Sequence, residues 1–443
     1  MVTSAELPPG TRGLIFLGDL QGTRGLAWTT TVNRQAFAFA QALAASVGDE
    51  PCALITVQNT GGDFGLSGGA GDRAWGGGLS GLVKTAAQEW PNSVLKAIDL
   101  ECAHHSVEEL GHRLIAELLA GGPELEVGLR ADGRRTTLVS IEVPFPASEA
   151  APAAIGPQSV IIASGGARGV TAAALIELAR QSQPRIALLG RTPLELEPAW
   201  AKDLASEEAL KSGLMMESRR IGQAIKPREI QQQIQAILNA REVTATLNAL
   251  HAAGSEAIYL PVAIQDPQSV QQALEAVRAR WGGIHGIVHG AGVLADKLIR
   301  DKTLEQFDRV FSVKVDGLRN LLELTANDPL TMICLFSSVA ARVGNTGQAD
   351  YAMANEVLNK VAATEARRRG NTCTVKSLNW GPWEGGMVTP ALKAHFQNLH
   401  VPLIPLEGGA KSFVQEIQSG PDGPVEIVLG GDPAAGLGAA ASR

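Results

Sequence analysis

The segment that most constrains this fold is an apolar run, a glycine turn and a helical stretch in direct succession. Residues 159–163 are the apolar run, Ser164-Gly165-Gly166-Ala167-Arg168-Gly169-Val170 is the turn, and residues 172–180 have helical spacing. A second apolar run over 185–190 completes a strand–helix–strand unit, which demands parallel strands with a covering helix. The glycines alone carry little weight, because the chain has 49 of them and turns use glycine freely. Between a strand and a helix, however, such a turn offers backbone N–H groups and a helix N-terminus to a pyrophosphate. The spacing is Gly-x-x-x-Gly, with Thr171 where a third glycine is often found. Arg191 stands where an acidic residue would accept a ribose 2′-hydroxyl. Together with Arg168 it suits a 2′-phosphate, so the expected cofactor is NADPH over NADH; the competing reading is two solvated arginines.

A second signal lies downstream. Ser338 precedes Tyr351 by thirteen residues, at the end of an apolar run and the start of a helical one. Such a pair of hydroxyls can polarise a carbonyl and protonate its oxygen while hydride arrives from the other face. Ser337 is the rival for Ser338, and the spacing favours Ser338. For Tyr351 the bland alternative is a half-buried core tyrosine, but it is one of only two tyrosines and sits in a full motif.

The 443 residues suffice for two or three domains, and 45% apolar content can fill a large core. A net charge of −7 argues against nucleic-acid binding. No run of eighteen apolar residues occurs and no signal core follows Met1, so no membrane span is expected and the expected location is cytoplasmic. Cys52, Cys102, Cys334 and Cys373 are scattered and read as reduced thiols. No metal-ligand spacing is present. His289, beside Gly290-Ala291-Gly292, is expected to line the cofactor cleft without doing chemistry.

The Pro/Ala-rich stretch 144–157 has a linker composition. Before it, strands are expected over 14–17, 52–57 and 94–100, helices over 33–46, 79–89 and 107–119, and a strand or hairpin over 125–143. Trp90-Pro91 stops the helix over 79–89. Alternation of this kind means a parallel sheet with covering helices. This half has no complete nucleotide-binding turn. Its glycine-rich loop over 59–78 reads as a turn or, alternatively, a partner contact. After the linker the alternation continues, interrupted by a polar helical stretch over 194–250 in which Pro227 opens a helix. A doubly wound unit needs far fewer residues there. A docking or dimerisation excursion and a solvated decoration are equally open readings.

Four longer motifs, SGGARGV (164–170), VHGAGVLADK (288–297), FSSVAARVGNTGQADYAMAN (336–355) and LNWGPWEGGMV (378–388), occur in order. On these motifs, residues 157–433 resemble the ketoreductase domain of modular polyketide and fatty-acid synthases, within the short-chain dehydrogenase/reductase superfamily. The likeness is strongest to bacterial polyunsaturated-fatty-acid synthases. It implies an α/β fold of two Rossmann-like doubly wound subdomains. The N-terminal one, 1–150, would be truncated and noncatalytic. The catalytic one, 157–433, would carry the insert, and 434–443 would be a linker tail.

The resemblance also implies roles. Many short-chain dehydrogenases have lysine four residues after the tyrosine, but here that residue is Asn355. Synthase ketoreductases exchange the two positions, which implies that Lys314 serves with Ser338, Tyr351 and Asn355. A lysine ammonium near the phenol favours phenolate and can also hold the nicotinamide ribose. The cofactor would lie on Gly165, Gly166, Ala167, Arg168, Gly169, Val170, Arg191, Gly290, Ala291, Gly292, Lys314, Tyr351, Gly381 and Pro382. Ala263 stands where the family often has an adenine-contacting aspartate, with Asp266 three residues on, so the adenine cap stays open. Asp296, Val343, Gln348, Trp383 and Met387 would bear on substrate and stereochemistry, and residues 383–405 would form a helical lid. Asp296, with valine rather than tryptophan at 343, implies a 3R alcohol.

The expected reaction is NADPH-dependent reduction of a β-ketoacyl thioester. The thioester would be borne by the phosphopantetheine arm of an acyl carrier protein and flanked by other synthase domains. Two other readings are a catalytically silent scaffold domain and a free-standing dehydrogenase of a small alcohol. The intact Ser338, Tyr351 and Lys314 count against the first, and the noncatalytic N-terminal half against the second.

Overall fold

In the computed structural model the chain is described over residues 6–18, 20, 26–144, 155–222, 225–386, 393–394 and 401–430, without the side chains of 26–30. Met387, most of the linker and of the expected lid, and the tail 434–443 lie outside the described residues.

Among the described residues the first half is one sheet with three α-helices: β1 (Gly13–Leu17), α1 (Leu26–Val47), β2 (Ala53–Gln58), α2 (Leu79–Glu89), β3 (Val94–Leu100), α3 (Val107–Ala120), β4 (Glu126–Leu129) and β5 (Arg135–Thr136). Its strands lie side by side in chain order, parallel except for the β4–β5 hairpin. Strand order never reverses, so this sheet lacks the switch point at which α/β folds open a nucleotide crevice.

The second half contains β6 (Val160–Ser164), α4 (Gly169–Ser182), β7 (Arg185–Gly190), α5 (Glu207–Arg220), α6 (Pro227–Ala252), β8 (Ala257–Pro261), α7 (Pro267–Trp281), β9 (Gly286–His289), α8 (Leu304–Leu324), β10 (Met332–Ser338), α9 (Val339–Val343), α10 (Ala349–Arg369), β11 (Thr374–Trp380), α11 (Leu406–Gln418) and β12 (Glu426–Leu429). Its seven strands are all parallel, in the order β12-β11-β10-β9-β6-β7-β8. The order reverses between β6 and β9, the point where such sheets bind ligands beyond their carboxyl ends. Strands β6, β7 and β9 are almost wholly apolar because both faces of the sheet are covered.

The two halves share a core. Phe37 of α1 stacks on Phe307 of α8 at 4.7 Å, and Phe307 on Phe311 at 5.1 Å. Helix α2 crosses α10 so closely that a Cβ on Gly81 would meet the Ala352 carbonyl carbon at 2.7 Å. Beside this crossing lies a buried ionic cluster. Glu356 of α10 pairs with Lys360, with Arg342 of α9 and with Lys84 of α2. Lys84 also pairs with Glu126 at 2.8 Å, and Arg342 with Glu426 at 2.9 Å. Three cations thus face three carboxylates. Burial raises the Glu356 pKa, but Arg342, Lys360 and Lys84 outweigh it and hold the carboxyl well below the usual range. Helices α8 and α10 are therefore each backed by a helix of the first half.

The insert is helical, as its pattern indicates. Leu210 and Leu214 of α5 meet Ile230 and Ile234 of α6 in a small core of their own. The far end of α6 buries Val243 and Leu250 in the core that contains α4 and β8.

Candidate active site

The glycine turn joins β6 to α4 at the switch point. Gly165 has φ +70°, and a Cβ there would sit 2.7 Å from the Ala291 backbone. The turns after β6 and β9 thus touch, and only glycine permits both the dihedral and the approach. Gly290 N–H donates to Ser164 O at 2.9 Å. The bare turn at the start of α4 is a cradle that fits a dinucleotide phosphate. The segment after β11 folds back over it: Gly386 lies 3.1 Å from Val170 and 3.3 Å from Gly169, measured to ideal Cβ positions. Gly381 N–H donates to Leu429 O, and Pro382 O accepts from Ile404 N–H, both at 2.8 Å.

Arg168 and Arg191 are both exposed near this turn. Arg191 follows β7. Arg168 turns its guanidinium to the insert, pairing with Asn239 Oδ1 and lying 3.7 Å from Glu242 of α6. Asp266 caps α7, its carboxylate accepting from Gln268 and Ser269 N–H groups.

Ser338 is the last residue of β10, and its Oγ accepts from Ala340 N–H at 3.1 Å. Tyr351, in the first turn of α10, brings its phenol to Ser338 and Asn355. Burial raises the phenol pKa above its usual value, and the hydrogen-bonding Asn355 and Ser338 side chains oppose the rise. Asn355 Nδ2 donates to Tyr351 O at 2.8 Å. Lys314 Nζ lies 5.2 Å from the centre of the Tyr351 ring and donates to Phe336 O at 2.9 Å. Burial alone pulls the Lys314 ammonium down to about 7. Ser338, Tyr351, Lys314 and Asn355 therefore converge at the carboxyl edge of the sheet. Ser337 points elsewhere: its Oγ donates to Asn379 Oδ1 at 2.9 Å.

His289 is fully buried rather than lining the cleft. Its Nε2 lies 2.8 Å from Lys314 O and its Nδ1 2.6 Å from Ser164 Oγ. Since a carbonyl only accepts, Nε2 carries the proton and Nδ1 accepts from the serine. Burial and the Lys314 charge lower its pKa to about 3. Neutral His289 thus ties the strand before the glycine turn to the helix that bears Lys314.

Asp296 and Gln348 meet, with Gln348 Nε2 donating to the Asp296 carboxylate at 3.0 Å. Val343 closes α9, a few residues before Gln348 in sequence. Trp383 is 4% exposed and packs edge-on against Trp380 at 4.7 Å, the β11 residue in register with Ser338.

Sequence reasoning missed a buried pair next to the tyrosine. Lys302 Nζ lies 2.7 Å from Asp350, both within 1% of full burial, and also donates to Ala295 O. It also missed Gln88 and Glu89, whose partners are in these same loops.

A family model described as the KR domain matches residues 159–385. One polyunsaturated fatty acid synthase polypeptide, from Thraustochytrium sp., is 36% identical over 369 residues, covering 81% of this chain and 13% of that protein. A polyketide synthase of Bacillus subtilis is 36% identical over 157 residues, 34% of this chain and 3% of that protein. The chain therefore spans only a small part of these relatives. Among solved structures, a ketoreductase domain from the bacillaene assembly line aligns over 96% of this chain and 93% of its own, with TM-score 0.65 and 22% identity. An A1-type ketoreductase aligns over 92% of this chain and 75% of its own, with TM-score 0.69 and 24% identity. These likenesses concern the fold. With just over half of its length matched to that family, the chain belongs to the KR domains, the ketoreductases of polyketide and polyunsaturated-fatty-acid synthases.

Proposed function

We propose that this chain reduces the β-carbonyl of a β-ketoacyl thioester to the 3R alcohol, using NADPH, as one domain of a larger synthase. The thioester would hang from the phosphopantetheine arm of an acyl carrier protein. The observation that carries this reading is the meeting of the Ser338 and Tyr351 hydroxyls beside the β6–β9 switch point, with Lys314 against the tyrosine ring. In this reading residues 1–150 are the structural subdomain, 157–433 the catalytic one and 434–443 a linker tail. A reducing cytoplasm suits the four free thiols.

The family uses a nicotinamide cofactor, which supplies the hydride when bound. Gly165, Gly166, Ala167, Gly169 and Val170 would hold its phosphates. Gly290, Ala291 and Gly292 would border the ribose, and Gly381 and Pro382 the carboxamide. Arg168 and Arg191 would select the 2′-phosphate. Ser338 donates a hydrogen bond to the carbonyl oxygen. Tyr351 gives its phenolic proton to that oxygen as the carbon accepts hydride. The Lys314 ammonium eases loss of that proton by favouring the phenolate, and Asn355 fixes the first turn of α10. Asp296 and Gln348 would border the thioester arm.

The test is NADPH oxidation with a β-ketoacyl-N-acetylcysteamine thioester, followed by chiral chromatography of the alcohol. Steady oxidation with a mainly 3R product is expected. No oxidation with any chain length would overturn the reading, and a mainly 3S product would overturn the stereochemical part alone.

A further inference from the structure

Helix α2 belongs to the half that lacks the Ser338–Tyr351 pair, yet its last two residues reach into the substrate loops. Glu89 sits between two of them. One carboxylate oxygen accepts from Ile299 N–H at 2.8 Å, the other from Gly347 N–H at 2.9 Å. Gln88 holds the second loop on its other side. Its Nε2 donates to Val343 O at 2.8 Å, and its Oε1 accepts from Thr346 N–H at 3.1 Å. The first loop carries Asp296, and the second carries Gln348, three residues before Tyr351. The loops are joined by Lys297 N–H to Gly347 O at 3.0 Å and by Gln348 to Asp296 at 3.0 Å.

A carboxylate is the side chain this position needs. It accepts on both oxygens and donates on neither, so it can hold one backbone N–H from each loop. An amide of the same length has one acceptor oxygen and would set its own N–H₂ against the other loop N–H. Glu89 is drawn partly out of water: burial raises its pKa, and the Ile299 and Gly347 N–H groups oppose the rise. The clamp is therefore made of charge-assisted hydrogen bonds in a place where solvent competes poorly.

We propose that Glu89, with Gln88, is a positioning residue that sets which face of the β-carbonyl is presented to hydride, by fixing the Asp296 and Gln348 loops relative to one another. The inference rests on the reductase reading above. It gives the first half a part in specificity as well as in packing.

The test compares wild type with Glu89→Gln on a β-ketoacyl-N-acetylcysteamine thioester. Losing one charge-assisted bond and opposing another should lower kcat/KM for the thioester about 10- to 100-fold, mainly through KM. The minor enantiomer should rise severalfold, while the Kd of NADP⁺ stays within about twofold of wild type. A merely structural role would not shift the enantiomer ratio. Amide exchange supplies a readout free of turnover: Ile299 and Gly347 should lose protection in the variant. If wild type reduces the thioester and Glu89→Gln matches it in KM and enantiomer ratio, the clamp is overturned and the reductase reading stands. Unchanged protection of both amides overturns the clamp whatever the turnover. A wild type that reduces no thioester overturns both. Should Glu89→Gln fail to fold, Gln88→Ala carries the same comparison, and an unchanged enantiomer ratio there overturns the inference.

Discussion

His289 makes the fold acid-sensitive by an amount that can be worked out. The ring is fully buried, donates to Lys314 O and accepts from Ser164 Oγ. A second ring proton would place a charge out of reach of water and near the Lys314 ammonium. Its pKa accordingly falls from the usual 6.5 to about 3. The unfolded chain takes up this proton below 6.5, while the folded chain does not until about 3. Stability contributed by neutral His289 is therefore complete above 6.5 and lost as pH falls toward 3. The slope is about 1.4 kcal/mol per pH unit, so the step from pH 7 to pH 5 costs about 2 kcal/mol. Urea unfolding of wild type and His289→Gln at both pH values isolates the effect. Glutamine can make both hydrogen bonds and does not titrate. Wild type should lose about 2 kcal/mol more than the variant over that interval. Equal losses in the two proteins would refute the assignment of a buried, neutral imidazole.

Two further outcomes follow from charges the fold encloses or exposes. Lys84→Met removes one of three cations from the buried cluster around Glu356, and should cost about 3–5 kcal/mol in urea unfolding; a loss below about 1 kcal/mol would mean the cluster is open to water. Replacing Arg168 and Arg191 together with alanine should remove most of the preference for NADP⁺ over NAD⁺ in equilibrium binding, since each guanidinium–phosphate bond is worth about 1.5–3 kcal/mol. Undiminished discrimination would put the 2′-phosphate elsewhere.

Much of this was legible because it is local. The bounds expected for α2, β3 and β7 coincide with 79–89, 94–100 and 185–190, since apolar period and the Trp90-Pro91 stop define them without long-range help. Ser338, Tyr351, Lys314 and Asn355 could be singled out because ordered motifs surround them. The hairpin after α3 was harder. Val139, Ile141 and Val143 alternate as a strand would, yet the second strand ends at Thr136 and these three are exposed. Trp383 reads like a substrate-facing aromatic, but its place in the core depends on Trp380 and on Gly409 of α11. Glu89 looks like the solvated end of a helix. What gives it meaning is two backbone N–H groups more than 200 residues away, and no local pattern encodes that. The same holds for Arg168, whose partners Asn239 and Glu242 belong to the insert.

Tyr351→Phe tests the central claim most directly. The substitution keeps the ring that packs near Lys314 and removes only the proton donor. Measured together, kcat for thioester reduction should fall by about 10²–10⁴, while the Kd of NADP⁺ stays within about twofold of wild type. A variant that turns over within twofold of wild type would contradict the account, because the proton would then come from another group.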